Sequence, residues 1–407
     1  MTKFKSLQVE GWRQFGAVQV DFHPRATIIT GANGAGKTTL LSILSQHFGW
    51  SPAFAGTLRI DARGARKYYS GFEFFSNEGN NVVGQITYED GSTATLQAPT
   101  EGASFHVAIH DSRVVPGIYI TSHRPVYSYQ AVDQIPTEVQ AGTQLFNQYL
   151  NNLRQFYQPT ARVQSPSYRL KAALISLAVF GPGNEVVAPD AEAQASFEGF
   201  SEVLRSVLPP DLAFRRISIR MPEVILETGT GDFSLDAASG GIAALLDVAW
   251  QIFMRSRTDS AFTVVMDEPE NHLHPSLQRT VLPGLIRAFP GAQFIVATHN
   301  PFVVTSVRDS NVFVLDFAGE RVQSTNLAEI DRSASANQIL TDVLGVPFPV
   351  PLWVEDEIGK IADSVRNEEL TAELLTRLRT QLQEIGLGDL FPDVIERLLP
   401  RDHGFEA

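Results

Sequence analysis

The chain contains no cysteine. That excludes disulfides, thiolate-built zinc ribbons and a thiol nucleophile. Positive charge is scarce: 32 Lys and Arg stand against 45 Asp and Glu, a formal net charge of −13. Such a balance excludes a protein that coats nucleic acid by bulk charge, but it leaves room for a local basic groove. Long apolar runs are lacking too. The most apolar stretch, residues 170–181, is broken by Lys171 and is too short to span a bilayer. The opening MTKFKSLQVEGW holds no apolar signal-peptide region. The expectation is a cytoplasmic protein with no membrane partner. What is present suits folding: 407 residues, 43% hydrophobic and 19% charged, enough for two or three packed domains.

Texture changes along the chain. Leu7, Val9, Val18, Val20 and Phe22 alternate with polar neighbours, as half-buried strands do. Ala26-Thr-Ile-Ile-Thr30 is a β-rich run, and residues 37–47 have helical spacing. Short β-like segments follow at 57–60, 82–88, 93–97, 105–109 and 118–121; within them His106 and His110 would share one strand face in structural roles. Helical stretches occupy 145–156, 168–180 and 197–207. Strands return at 217–219, 224–227, 262–266, 294–297 and 312–315, with helices over 240–255 and 275–288, the latter interrupted at Pro283. Three short apolar runs separated by helices predict parallel strands buried on both faces. The tail carries an apolar helical stripe of Leu370, Leu374, Leu378, Leu382 and Ile385.

Gly31-Ala-Asn33-Gly34-Ala35-Gly36-Lys37-Thr38 fits G-x-x-x-x-G-K-[ST], with a strand before it and a helix after it. Glycines let backbone N–H groups turn inward around phosphate oxygens, and the helix opening at Lys37 directs its positive end at the same anion. Residues Asn33 to Thr39 would thus cradle the phosphates of ATP. Lys37 reaches the β- and γ-phosphates, and the Thr38 hydroxyl suits Mg²⁺. The bland alternative is a Gly-rich turn with an exposed lysine.

Thr263-Val-Val-Met-Asp267-Glu268-Pro269-Glu270 is an apolar strand ending in carboxylates. Open α/β sheets bind ligands beyond the carboxyl ends of their strands, so Asp267 should face the rim that holds the phosphate loop. Asp267 would hold Mg²⁺ and Glu268 would be the general base toward water. The next strand ends in Thr298-His299-Asn300, which places His299 near the γ-phosphate; a capping or core histidine is the alternative. His272 and His274, beside Asp267 and Glu270, admit a metal reading but offer no compact ligand spacing.

Taken together these motifs resemble a family. Ser239-Gly240-Gly241, opening a helix just before the acidic strand, resembles the core of the ABC-type ATPase signature. The sequence is similar to the RecF, structural-maintenance-of-chromosomes and overcoming-lysogenization-defect branch, which includes the AAA family ATPases of Septu, retron and PARIS anti-phage systems. The resemblance covers residues 1–60 and 210–320. Ile242 departs from the usual Gln or Glu, and Thr121-Ser-His123-Arg124 is the candidate for the Q-loop lobe. About two hundred residues between Lys37 and Ser239 hold no long coiled coil, which favours a compact head. Leu352-Trp-Val-Glu355 faintly resembles the opening of a Toprim nuclease, but the later acids are missing, so Glu355 reads as a surface acid and nuclease activity in this chain is not expected. Residues 336–345 are similar to Septu-type tails.

The resemblance implies an α/β ATPase head: a P-loop mixed sheet, an antiparallel β lobe, a helical insertion and a helical C-terminal tail. The expected boundaries are 1–135 for the N-terminal half of the head, 136–210 for the insertion, 211–332 for the C-terminal half and 333–407 for an acidic tail. It further implies ATP sandwiched in a homodimer or larger assembly, with Ser239, Gly240 and Gly241 of one copy completing the pocket of another. The output would be a nucleotide-gated scaffold in anti-phage defence, controlling a separate effector nuclease or toxin. The alternative is a RecF-like DNA-binding ATPase of repair. Arg154, Arg162, Arg169 and Lys171, in a stretch free of acids, together with Arg59, Arg63, Arg66, Lys67 and Arg215, Arg216, Arg220, would then track phosphates, or else form solvated faces. From Glu355 onward 13 acids oppose 6 bases, which suits a protein partner better than nucleic acid.

Overall fold

A computed structural model describes residues 2–60, 64, 66–71, 80–124, 129–136, 143–156, 164–327, 339–340, 354, 360–361, 365, 371–384, 388, 391 and 395. The chain divides into two compact units, Met1–Ile339 and Leu340–Ala407.

The first unit opens with β1 (Phe4–Glu10), β2 (Phe15–Asp21), β3 (Ala26–Gly31) and helix α1 (Lys37–Ser45). Short strands follow: β4 (Phe54–Ala55), β5 (Thr57–Ile60), β6 (Arg66–Tyr69), β7 (Asn80–Tyr88), β8 (Thr93–Pro99), β9 (Ser104–Phe105), β10 (Ala108–His110) and β11 (Gly117–Ile120). Helices α2 (Thr143–Phe156), α3 (Pro166–Phe180) and α4 (Ala191–Val207) come next. Strands β12 (Phe214–Arg220), β13 (Glu223–Thr228) and β14 (Phe233–Ser234) form a small sheet ahead of α5 (Gly240–Ser256). Then come β15 (Phe262–Asp267), α6 (Pro275–Gln278), α7 (Val281–Ala288), β16 (Ala292–Ala297), α8 (Pro301–Val304), β17 (Asn311–Ala318) and β18 (Arg321–Asn326).

The main sheet has eleven strands in the order β10-β8-β7-β1-β2-β18-β17-β3-β16-β15-β11. On one side β11, β15, β16, β3 and β17 run parallel. Every residue of β3, β15 and β16 is buried, which is why these strands read as unbroken apolar runs. On the other side β2, β1, β7, β8 and β10 pair antiparallel, and β1 and β2 show the alternation of strands with one covered face. The α/β class with a mixed sheet expected from the motifs is thus the observed one.

One hydrophobic core cluster joins Leu40, Leu41, Ile43 and Leu44 of α1 to Ile29, Val265, Ile295 and Leu315 of the sheet. Each such side chain contributes about 1.5–3 kcal/mol by burial, so the helix behind the phosphate loop is rigidly seated.

Several elements differ from expectation. The run 105–109 is not one strand: Phe105 pairs with Phe54, whereas Ala108 to His110 pair with β8. His106 and His110 therefore share no strand face, and His106 Nδ1 lies 2.9 Å from the Pro52 carbonyl oxygen. The helical stretch 275–288 breaks at Arg279–Thr280, not at Pro283. Pro283 sits in the first turn of α7, where a missing N–H costs nothing. Helix α4 begins six residues before the expected 197 because Asp190 caps it, accepting from the Glu192 and Ala193 amides.

The largest correction concerns Lys171. Placed in a phosphate-tracking set by its sequence neighbourhood, it is fully buried in α3, with Nζ on Glu223 and Asp236. The other basic sets are partly neutralised by carboxylates of the same chain: Lys67 pairs with Glu101, Arg216 with Glu227 and Arg220 with Asp232. Arg154 donates to the Phe48 carbonyl oxygen, and Arg169 and Arg215 are exposed. Arg63 and Arg162 lie outside the described residues.

In the second unit, α9 (Ala372–Glu384) buries Leu374, Leu378 and Leu382, three residues of the expected stripe; Val365 packs with the first two. Leu370, Ile385, Glu355 and most of 336–345 lie outside the described residues. Among the described residues no helix is long and apolar enough to cross a membrane.

Candidate functional site

The phosphate loop joins β3 to α1. Gly31, Gly34 and Gly36 all have positive φ, at 136°, 85° and 98°. A Cβ on Gly31 would stand 2.2 Å from the Leu315 carbonyl oxygen, and one on Gly36 would stand 2.5 Å from the Gln14 amide nitrogen and the Phe15 ring. The loop is thus wedged between β17 and the β1–β2 turn. Gly31→Ala combines an unfavourable φ with a backbone collision that nothing flexible can relieve. We expect it to destabilise the protein by about 3 kcal/mol or more, read as a lowered urea midpoint.

Lys37 is 8% exposed, and its Nζ donates to the carbonyl oxygens of Gly31 at 2.8 Å and Ala32 at 3.1 Å. Burial pushes its pKa down, opposed by the nearby carboxylates of Glu268, Asp267 and Glu270. Helix α1 has no acid in its first turn, so its positive end is not neutralised from within. Asn33 and Gly34 are exposed on the loop, Ala35 is buried beneath it, and Thr39 is half-buried one residue into the helix from Thr38.

Thr38 Oγ1 donates to Asp267 Oδ2 at 2.8 Å, across 229 residues of sequence. The expected shared rim is therefore formed. The Asp267 carboxyl is raised by burial and by Glu268, against the lowering effect of the Thr38 bond, Arg124 and Lys37. Two hard oxygen donors converging at a buried carboxylate fit Mg²⁺.

Glu268 takes φ +47°, a left-handed conformation that costs a non-glycine residue about 1–2 kcal/mol. The strain turns its side chain to the rim. Its amide donates to the Ala297 carbonyl oxygen at 2.8 Å, Oε2 accepts from Asn271 Nδ2 at 2.9 Å, and Oε1 lies 3.0 Å from His299 Nδ1. His299 is about half-exposed, and the capping role falls to its neighbour Asn300, which accepts from the Phe302 amide. His274 likewise caps α6 through the Ser276 amide. Among the described residues no group of three or more His, Asp or Glu is gathered for a metal ion.

Three contributors were given no role at the site by the sequence alone. Arg124, from the candidate Q-loop segment, is buried and donates to the carbonyl oxygens of Asp267 at 3.3 Å and Glu268 at 3.4 Å. Asn271 bridges Glu268 to the Ser122 carbonyl oxygen at 3.1 Å. Glu270 is buried, accepts from Thr298 Oγ1, and is raised by burial. Arg124 lay in the candidate Q-loop segment and Glu270 in the carboxylate-ended motif, but the contact of Arg124 with Asp267 spans 143 residues and no local pattern gives it.

Ser239 is exposed at the N-cap of α5 and its side chain makes no capping bond. Gly240 is exposed, with nothing within 4 Å of where a Cβ would sit, whereas Gly241 abuts the His272 carbonyl oxygen. Among the described residues no hydrogen bond joins Ser239 to Lys37, Thr38 or Asp267. The structure therefore gathers Lys37, Thr38, Asp267, Glu268 and His299 on one rim, while Ser239 and Gly240 are exposed at the start of α5.

This fold and this rim define a P-loop ATPase. Residues 6–155 match a family model described as "AAA domain", and residues 152–305 match one described as "AAA domain, putative AbiEii toxin, Type IV TA system". The chain thus carries AAA-family ATPase domains over residues 6–305. It is homologous to the "Retron Ec83 probable ATPase" of Escherichia coli, with 26% identity over 42% of this chain and 29% of that protein. It is also homologous to the "Septu protein PtuA" of Bacillus thuringiensis, with 20% identity over 94% of each chain. The chain thus spans under a third of the retron relative but nearly all of the Septu one. The SMC head domain from Thermotoga maritima matches 80% of the chain at a TM-score of 0.42 and 16% identity.

Proposed function

We propose that this chain hydrolyses ATP between two copies of itself and serves as a nucleotide-gated scaffold in anti-phage defence, controlling a separate effector nuclease or toxin. The phosphate-loop amides and Lys37 bind the β- and γ-phosphates. Thr38 and Asp267 hold Mg²⁺, which when bound spreads the charge of those phosphates. Glu268, oriented by Asn271 and His299, accepts the proton of a water whose oxygen forms a bond to the γ-phosphorus. The bond from γ-phosphorus to the bridging oxygen breaks, and ADP leaves with the electron pair. His299, beside Glu268, is placed to contact the γ-phosphate.

The observation that carries the two-copy reading is the start of α5. Ser239 and Gly240 are exposed and, with half-buried Gly241, form a helix N-terminus with no side-chain cap and no acid in its first turn. A second copy would supply the anion such an end favours. Ser239→Arg should bind ATP within about threefold of wild type and lose about 10²-fold in turnover, as loss of a transition-state contact does. Mixed in equal amounts with Lys37→Ala, it should recover about a quarter of wild-type activity, because half of random dimers regain one intact site. Wild-type turnover by Ser239→Arg alone would sink the reading.

Homology to Septu and retron proteins and the acidic tail support a protein effector. DNA recognition has less behind it, since Lys171 is buried and several of the remaining basic side chains are paired within the chain. Co-purification with the product of a neighbouring nuclease gene, dissolved by ATP turnover, tests the effector reading directly.

A further inference from the structure

Lys171 sits in the most apolar stretch of the chain, and its side chain has no exposed surface. A buried ammonium persists only where oxygens replace the water it has lost. Here Nζ donates to Glu223 Oε2 at 3.1 Å, to Asp236 Oδ2 and to the Gln130 carbonyl oxygen at 2.9 Å, and it lies 5.4 Å from the centre of the Tyr129 ring. Burial alone would lower its pKa, but the bonds to Asp236 and Glu223 outweigh this and hold it above the ordinary lysine value.

The partners are not scattered. Asp236, itself nearly buried, belongs to the 3₁₀ turn Leu235–Ala237, three residues before Ser239. Glu223 opens β13, whose partner strand β14 leads into that turn. Ser239 has no capping bond of its own, so its direction is inherited from the turn before it. Three apolar side chains would fill the same space at similar stability, so a charged cluster here adds direction more than cohesion.

We propose that Lys171 is a positioning residue for the trans half of the ATP site, its bond to Asp236 setting the direction in which Ser239, Gly240 and Gly241 are presented to the triphosphate bound by a second copy of this chain. This rests on the two-copy reading above. Lys171 acts through Asp236 and touches no nucleotide.

The test uses Lys171→Met, which alone strands the Asp236 and Glu223 carboxylates, and the paired change Lys171→Met with Asp236→Leu, which removes the two buried charges and leaves only the partly exposed Glu223. Nucleotide affinity, melting temperature and turnover are measured for each, alone and mixed with Lys37→Ala. The expected result for the paired change is a melting temperature and ATP affinity near wild type, turnover lower by about tenfold or more, and recovery toward a quarter of wild-type activity in the mixture, because the Lys37→Ala copy lends an intact Ser239. Unchanged turnover would overturn the proposal. So would lost turnover that the mixture fails to restore while the mixture of Ser239→Arg with Lys37→Ala does restore it. If both changes merely unfold the chain, the cluster is structural and the proposal falls as well. If the Ser239→Arg mixture also stays silent, it is the two-copy reading that has failed.

Discussion

Glu268→Gln should keep ATP affinity within a few-fold of wild type and lower turnover by about 10²–10⁴-fold, the range supplied by a positioned general base. The substitution is nearly isosteric. The backbone at φ +47° suits glutamine as it suits glutamate, and the side-chain oxygen can still accept from Asn271 Nδ2. What disappears is the capacity to take a proton from water. Lys37, Thr38 and Asp267 are untouched, so the triphosphate still binds. If nucleotide closes two copies together and hydrolysis loosens them, the variant should accumulate as an ATP-dependent dimer or larger assembly. Light scattering on a sizing column, with and without ATP, reads this out. Normal turnover by the variant would assign the base elsewhere, with Glu270 the next carboxylate on the rim.

Lys37→Ala attacks the other end of the reaction. Its Nζ rests on the Gly31 and Ala32 carbonyl oxygens, so it needs only a short swing to meet phosphate. A charge-assisted hydrogen bond is worth about 1.5–3 kcal/mol, so losing contacts to two phosphates should weaken ATP binding by about 10²-fold or more. Turnover should fall below detection. Stability should change little, because the deleted ammonium is itself desolvated and its removal offsets the lost bonds. Calorimetric titration with ATP checks the affinity and a thermal melt checks the fold. Unchanged affinity would reject the phosphate-loop reading. The same variant is the complementing partner for Ser239→Arg and Lys171→Met, so one protein serves three tests.

Most of the candidate rim was legible because its signals are local. Gly31 to Thr38 is one uninterrupted turn, and its glycines occupy the positive-φ positions that such a loop demands. Asp267 and Glu268 end an apolar run, and His299 ends the next. Parallel strands place their carboxyl ends on one edge, so adjacency in space followed from pattern. The departures have equally specific causes. Helix α4 started early through a cap at Asp190 that precedes any apolar repeat. Charge composition misled at Lys171, because composition counts charges but cannot say which of them a helix turns inward.

From the amino-acid order alone came the phosphate-loop motif, the carboxylate-ended strand, the Ser-Gly-Gly helix start and the α/β class, since each depends on residues within a turn or two of one another. Packing alone decided that Arg124 holds the carbonyl oxygens of Asp267 and Glu268, that Asn271 donates to the Glu268 carboxylate, that β18 runs parallel to β2, and that Lys171 clamps Asp236. Those contacts join residues far apart in the chain, or depend on which way a side chain faces; hydrophobic period and local propensity carry no information about either until the core has closed.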